Sequence, residues 1–150
     1  MIAVLQRVSG ARVCVDGEAV GECAEGLAIL LGVAEGDTDK DAEVLSEKIS
    51  KTRIFSDEFG KMNLSVVDIG GEALVVSNFT LLANYKKGNR PDYMNAAKPD
   101  EANRLYEYFC KLLEKNVKHV GRGVFGADMK IELCADGPVT IVMDSKILIK

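Results

Sequence analysis

A chain of 150 residues with 47% hydrophobic content and a formal net charge of −4 holds enough apolar material for one core without staples. Its acidic balance argues against a broad electrostatic grip on nucleic acid, and no apolar run approaches the roughly 18 residues that span a bilayer. The opening MIAVLQRVSG lacks the basic flank and cleavage site of a signal peptide, so one cytoplasmic domain spanning residues 1–150 is expected.

In chain order, Ile2, Val4 and Gln6 share one face of a first strand. The stretch ARVCVDGEAVGEC follows as two short alternating runs around Asp16-Gly17, a strong hairpin signal. Residues 26–33, GLAILLGV, form a continuous apolar run short enough for a buried strand. A helix is expected from Thr38, whose hydroxyl can cap free amides with Asp41 three residues on. Ala42, Leu45, Ile49 and Ile54 would mark its apolar face, with Glu43, Glu47, Lys48 and Lys51 opposite. FSDEFGKMN reads as a turn, and SVVDI and ALVVS, separated by Gly70-Gly71, read as a second hairpin.

From Leu82 to Lys98 the pattern dissolves into a polar loop, and loops of that length in compact domains are usually functional or disordered. Within it Lys86, Lys87 and Arg90 put three positive charges in five residues; from charge alone this is a solvated loop. Pro99 fits the first turn of a second helix with Ala102, Leu105, Phe109, Leu112 and Leu113 on its apolar face. The last segment, GVFGADMKIELCADGPVTIVMDSKILI, is strand-like on both sides of Gly137-Pro138. Runs of strands with two main helices, rather than strict β-α-β alternation, predict an α+β domain with a mainly antiparallel, barrel-like sheet.

Four dispersed cysteines, Cys14, Cys23, Cys110 and Cys134, and a single histidine, His119, lack metal-ligand spacing, so no metal and no other cofactor is expected. The thiols read as small hydrophobes. Proline breaks a strand ladder, so Pro138 should begin a strand. An X-Pro bond is the one common peptide link whose cis form costs only ~0.5–1 kcal/mol. A cis Gly137-Pro138 bond would leave the flanking carbonyl oxygens facing one way, two fixed acceptors for an ammonium group. Such a site would be strict about geometry at one carbon and indifferent to its side chain, which makes a chirality filter.

Residues 76–83, VSNFTLLA, and 125–140, FGADMKIELCADGPVT, resemble the D-aminoacyl-tRNA deacylase family. With Gln6-Arg7-Val8 and the loop KKGNRPDY the resemblance covers essentially the full chain. It implies a homodimeric hydrolase that cleaves the ester between a D-amino acid and the 3′-terminal adenosine of tRNA. It further implies that Gly137 and Pro138, as a cis pair, enter the partner subunit's active site and reject L-amino acids. Since such a filter passes an achiral residue, glycyl-tRNA joins D-aminoacyl-tRNA as an expected substrate.

The family's Ser-Gln-x-Thr falls on Ser77, Asn78, Phe79 and Thr80, which makes these the catalytic candidates. Asn78 departs from it by one methylene, and Ala135 stands where the family usually has asparagine. By the same resemblance Met129 lines the pocket, Arg7 fixes the Gly-Pro loop, and Thr140 joins them as a substrate-binding candidate. A tRNA substrate gives Lys86, Lys87 and Arg90 a reason to lie near phosphates. Serine and threonine are weak nucleophiles without an adjacent base, and His119 offers no clear triad. The family instead implies assistance from the 2′-hydroxyl of the terminal adenosine. The alternative from another class is a noncatalytic tRNA-binding module that lost hydrolysis through its changes at Asn78 and Ala135.

Overall fold

Asp16 and Gly17 both have positive φ, 50° and 82°, the geometry of a tight hairpin turn whose twist matches its flanking strands. In the computed structural model, which describes residues 1–149, this turn folds β2 (Glu18–Cys23) antiparallel onto β1 (Ile2–Val15). β3 (Gly26–Gly32) continues where β2 stops, so the two retrace one side of β1 in tandem. β6 (Glu72–Ser77) lies parallel to β3, and β7 (Val120–Arg122) parallel to β6. The fifteen-residue β8 (Lys130–Asp144) runs antiparallel along the other side of β1.

The sheet closes nearly into a barrel where β2 meets β7, and two glycines make that approach possible. A Cβ on Gly21 would sit 2.2 Å from the Arg122 carbonyl oxygen, and one on Gly121 would sit 2.3 Å from that of Glu22. His119 Nε2 lies 3.1 Å from the same Glu22 oxygen, which places the lone histidine at this seam.

Thr38 and Asp41 form the expected capping box at the start of α1 (Asp39–Lys51), and Pro99 occupies the first turn of α2 (Pro99–Glu114). Leu45 and Ile49 of α1 and Leu105 and Phe109 of α2 are fully buried against Leu27, Ile29 and Leu31 of β3. Ala28 on the other face of β3 packs with Val8, Val13, Leu74 and Val76 inside the barrel. Burial on both faces explains why β3 reads as an unbroken apolar run. Among the described residues no helix is long and apolar enough to cross a membrane.

Three expectations need correction. Ile54 is buried, but α1 ends at Lys51, so it joins the core from beyond the helix. The FSDEFGKMN turn carries a minimal hairpin of its own, β4 (Phe55–Ser56) with β5 (Met62–Leu64). The hairpin at Gly70-Gly71 does not form, because SVVDI is a turn rather than a strand. The Asp68 carboxylate accepts from the Ser65 N–H and hydroxyl, both at 2.8 Å, and Gly71 N–H donates to the Val66 carbonyl at 2.9 Å. This local side-chain bonding outcompetes the sheet, and ALVVS joins β3 in parallel instead.

On β8 the ladder to β1 is interrupted: Ala135 pairs with Val8 and Thr140 with Gln6, leaving Asp136 to Val139 opposite Arg7 without ladder partners. The Gly137-Pro138 peptide is cis, and pairing resumes two residues past Pro138. After β8 comes the one-turn α3 (Ser145–Leu148), which is tied to the start of α1. Ser145 Oγ donates to Asp41 Oδ1 at 2.7 Å and Lys146 Nζ at 2.9 Å. Burial opposes ionisation of Asp41, but these bonds and those from Thr38 outweigh it and hold the carboxyl well below the usual carboxylate range.

Candidate active site

β6 is buried from Ala73 to Val76 and delivers Ser77 to its C-terminal end. There the chain leaves the sheet. Asn78 N–H makes one last bond, to the Leu31 carbonyl at 2.8 Å, and a 3-10 helix, Phe79–Leu82, follows. The Asn78 side chain caps this helix: its Oδ1 accepts from the Thr80 N–H at 3.2 Å and from the Thr80 hydroxyl. A cap that serves Thr80 leaves the first amide of the helix, Phe79 N–H, without a partner among the described residues.

Beside this corner opens a cavity of about 960 Å³ with Ser77, Asn78 and Phe79 at its edge. That volume lies at the upper end of ligand pockets. Leu31, Val76, Tyr106, Phe125 and Met129 supply largely apolar walls. Gly123 makes room for Met129, whose Sδ lies 2.7 Å from where a glycine Cβ would be. Phe79 remains 58% exposed and meets Tyr93 edge-on, ring centroids 5.0 Å apart.

The cavity is poor in acid-base groups. Glu35 is its one carboxylate, Lys98 its one ammonium, and no histidine reaches it. Tyr106 donates its hydroxyl to the Val75 carbonyl at 2.9 Å, and burial pushes its pKa well above the usual phenol value, so it acts as a fixed donor. Burial likewise pushes the Cys110 thiol up to about 12 and Cys23 up to about 11, which removes both as nucleophiles at neutral pH. Among the described residues no cluster of His, Cys, Asp or Glu is arranged to hold a metal ion.

The remaining candidates lie elsewhere. Thr80 is exposed, held by Asn78 just outside the cavity wall. Arg7 Nε donates to the Asp136 carbonyl at 3.0 Å and its Nη1 to the Ile54 carbonyl at 2.8 Å. Thr140 Oγ1 donates to Gln6 Oε1 at 2.9 Å. The exposed Gly137, Pro138 and Thr140, with the part-buried Arg7, thus form a second locus that contributes no wall to the chain's own cavity. Lys86, Lys87 and Arg90 are exposed on the loop that follows the 3-10 helix.

Sequence reading misses Tyr93, Tyr106 and Phe125. Tyr106 leaves a detectable signal, a polar-tipped aromatic within the apolar stripe of α2, whereas Tyr93 and Phe125 stand in loops, and only their places in KKGNRPDY and at the start of FGADMKIELCADGPVT could have singled them out.

A nearly closed α+β barrel with two covering helices and one acid-base-poor cleft at the end of β6 defines a single-domain ligand-binding protein. The comparisons narrow that class: the D-Tyr-tRNA(Tyr) deacylase family model matches residues 4–144, and the chain belongs to that family and is a hydrolase. It is 57% identical to the D-aminoacyl-tRNA deacylase of Sulfurihydrogenibium sp. over 97% of this chain and 99% of the relative. It is 51% identical to that of Bacillus cereus over 97% and 100% of the two chains. Among solved structures it superposes on the c-Myc DNA unwinding element binding protein with a TM-score of 0.91 at 40% identity, covering 96% and 98% of the two chains. A structure described as a probable eukaryotic D-amino acid tRNA deacylase, at 16% identity and TM-score 0.82 with 95% and 98% coverage, shares the fold.

Proposed function

We propose that this chain hydrolyses the ester joining a D-amino acid to the 3′-terminal adenosine of tRNA, and that the 2′-hydroxyl of that adenosine supplies the proton handling the cleft lacks. The observation that carries this reading is the uncommitted Phe79 N–H at the edge of a cavity with no histidine and one carboxylate. Water adds to the ester carbonyl, and the oxygen that gains negative charge takes a hydrogen bond from Phe79 N–H. The carbon–oxygen bond to the ribose then breaks, and the 3′-hydroxyl leaves with a proton. The chain's contribution is positioning and a preorganised donor, terms that together can supply many kcal/mol. The apolar walls suit the adenine ring, and Phe79 and Tyr93 offer aromatic faces to it.

Discrimination belongs to the second locus. In this reading the main-chain oxygens at Gly137-Pro138 enter the cleft of a second copy and receive the α-ammonium group, so that the α-substituent of an L-residue collides with backbone. Glycyl-tRNA passes the same filter. Two features support a role between copies: residues 130–138 are exposed throughout, and Ile131, Leu133 and Val142 on that strand are 38%, 43% and 69% exposed, an apolar row that a partner would cover. Arg7, clamped on the Asp136 carbonyl, steadies the loop.

The test is release of amino acid from D-tyrosyl-, glycyl- and L-tyrosyl-tRNA at substoichiometric protein, with and without chelator. Many turnovers on the first two and none on the third are expected, unaffected by chelator. Equal turnover of the D- and L-esters refutes the filter, and tight binding without turnover refutes the hydrolase.

A further inference from the structure

The segment Asn84 to Pro91, NYKKGNRP, carries three cations and no acid in a chain whose net charge is −4. Its first stem grows from the 3-10 helix that bears Phe79, and its second leads into Tyr93 and Met94, which line the cavity. The base is pinned by paired main-chain bonds between Asn84 and Asp92, 2.8 and 2.9 Å. Asn84 Nδ2 donates to Asp92 Oδ2 at 3.1 Å, Asn84 Oδ1 accepts from the Lys86 N–H at 3.3 Å, and Asp92 Oδ1 from the Met94 N–H at 3.2 Å.

On this held loop Tyr85 is 78% exposed and makes neither a hydrogen bond nor a ring contact among the described residues. A single exposed aromatic needs no special explanation. One set on a pinned, purely cationic loop beside a nucleoside-sized cleft matches the combination by which proteins hold single-stranded nucleic acid, a stacking face next to phosphate-binding charges.

We propose that Tyr85 is a stacking platform for the unpaired nucleotides that precede the terminal adenosine, with Lys86, Lys87 and Arg90 meeting their phosphates. This rests on the reading of the cleft as the seat of that adenosine. The acidic remainder of the chain then repels the body of the RNA, and affinity concentrates on its single-stranded 3′ end.

Two substrates separate the platform from the cleft: D-tyrosyl-tRNA, which carries the preceding nucleotides, and D-tyrosyl-adenosine, which does not. Tyr85→Ala should lower kcat/KM for the tRNA ester by roughly 5- to 160-fold, the range measured for losing one base–aromatic stack, and leave the adenosine ester unchanged. Tyr85→Phe should retain activity on both. Lys86→Gln should flatten the dependence of log affinity on log salt by ~0.7. Equal loss on both esters, or loss on neither, overturns the platform. Hydrolysis of neither ester by the wild type defeats the reading of the cleft, and a second measurement then still decides the platform. The chain has no tryptophan, so Tyr85→Trp carries a single indole, whose fluorescence the trinucleotide CCA should quench. An unquenched indole at saturating trinucleotide overturns the proposal.

Discussion

Along β6, Ala73 to Val76 are at most 2% exposed, whereas every residue of β8 from Lys130 to Pro138 is exposed. Both strands carry apolar side chains; those of β6 are buried in the chain's own core, and on β8 Val139, Ile141 and Met143 pack against that core while Leu133 and Val142 stay exposed. Residues that packing requires tell little about chemistry. The corner at Asn78 and the exposed Gly137-Pro138 pair stand outside the buried core. The comparison therefore separates a locus lined by the chain's own folded residues, the cleft, from one that it presents outward.

The sharpest way to break the cleft's side of that comparison is to remove its free amide. Phe79→Pro deletes the N–H at the first position of the 3-10 helix, where proline is tolerated, and Asn78 already has the extended backbone that precedes a proline. Its kcat should fall ~100- to 1000-fold. Phe79→Ala, which keeps the amide, should lose far less, and equal losses in steady-state assays would move the work to the ring.

On the outward side, Arg7→Ala removes two bonds from a charged donor, at the Asp136 and Ile54 carbonyls. It should cost about 1.5–3 kcal/mol in denaturant unfolding and raise turnover of L-tyrosyl-tRNA relative to the D-ester. Unchanged selectivity would detach Arg7 from the filter.

A third change touches neither locus and calibrates the other two. Asp41 has its carboxyl pKa lowered in the folded chain, so its stabilisation is fully present above the unfolded value near 4 and is lost as pH falls below it. Asp41→Asn should destabilise by about 2 kcal/mol at neutral pH, discounted because its partner Lys146 is half-exposed. The variant should also lose part of the wild type's decline below pH 4, as measured by thermal unfolding across pH, with kcat unaltered.

Asn78→Gln should have the smallest effect. It restores the family's residue but replaces a good cap, so stability should drop by no more than about 1 kcal/mol. In the proposed mechanism the backbone amide rather than the carboxamide meets the oxyanion, so turnover should stay within roughly threefold.

Much of this architecture follows from local chemistry. Asp16-Gly17, the Thr38–Asp41 box and Pro99 each act within a few residues, and the structure realises each of them. The Gly70-Gly71 hairpin fails because the bonds between Ser65 and Asp68 compete within the same window as the glycines, and composition does not say which wins. The parallel β3–β6 pairing and the meeting of Tyr93, Tyr106 and Phe125 around one cavity depend on contacts distant in sequence, which periodicity cannot carry. Ser77, Asn78, Phe79 and Met129 come together at the cleft. Arg7, Gly137, Pro138 and Thr140 share the other locus.

Subunit complementation tests most directly whether the outward locus serves a second copy. Gly137→Ala, whose added Cβ would sit 2.3 Å from the Val139 nitrogen, disables the loop, and Phe79→Pro disables the cleft. Each variant alone should be inactive on D-tyrosyl-tRNA. Dissociated and reassembled together, they should recover about a quarter of wild-type activity, because half of randomly formed dimers are mixed and each mixed dimer holds one intact site. No recovery in a preparation shown to contain mixed dimers would contradict the account.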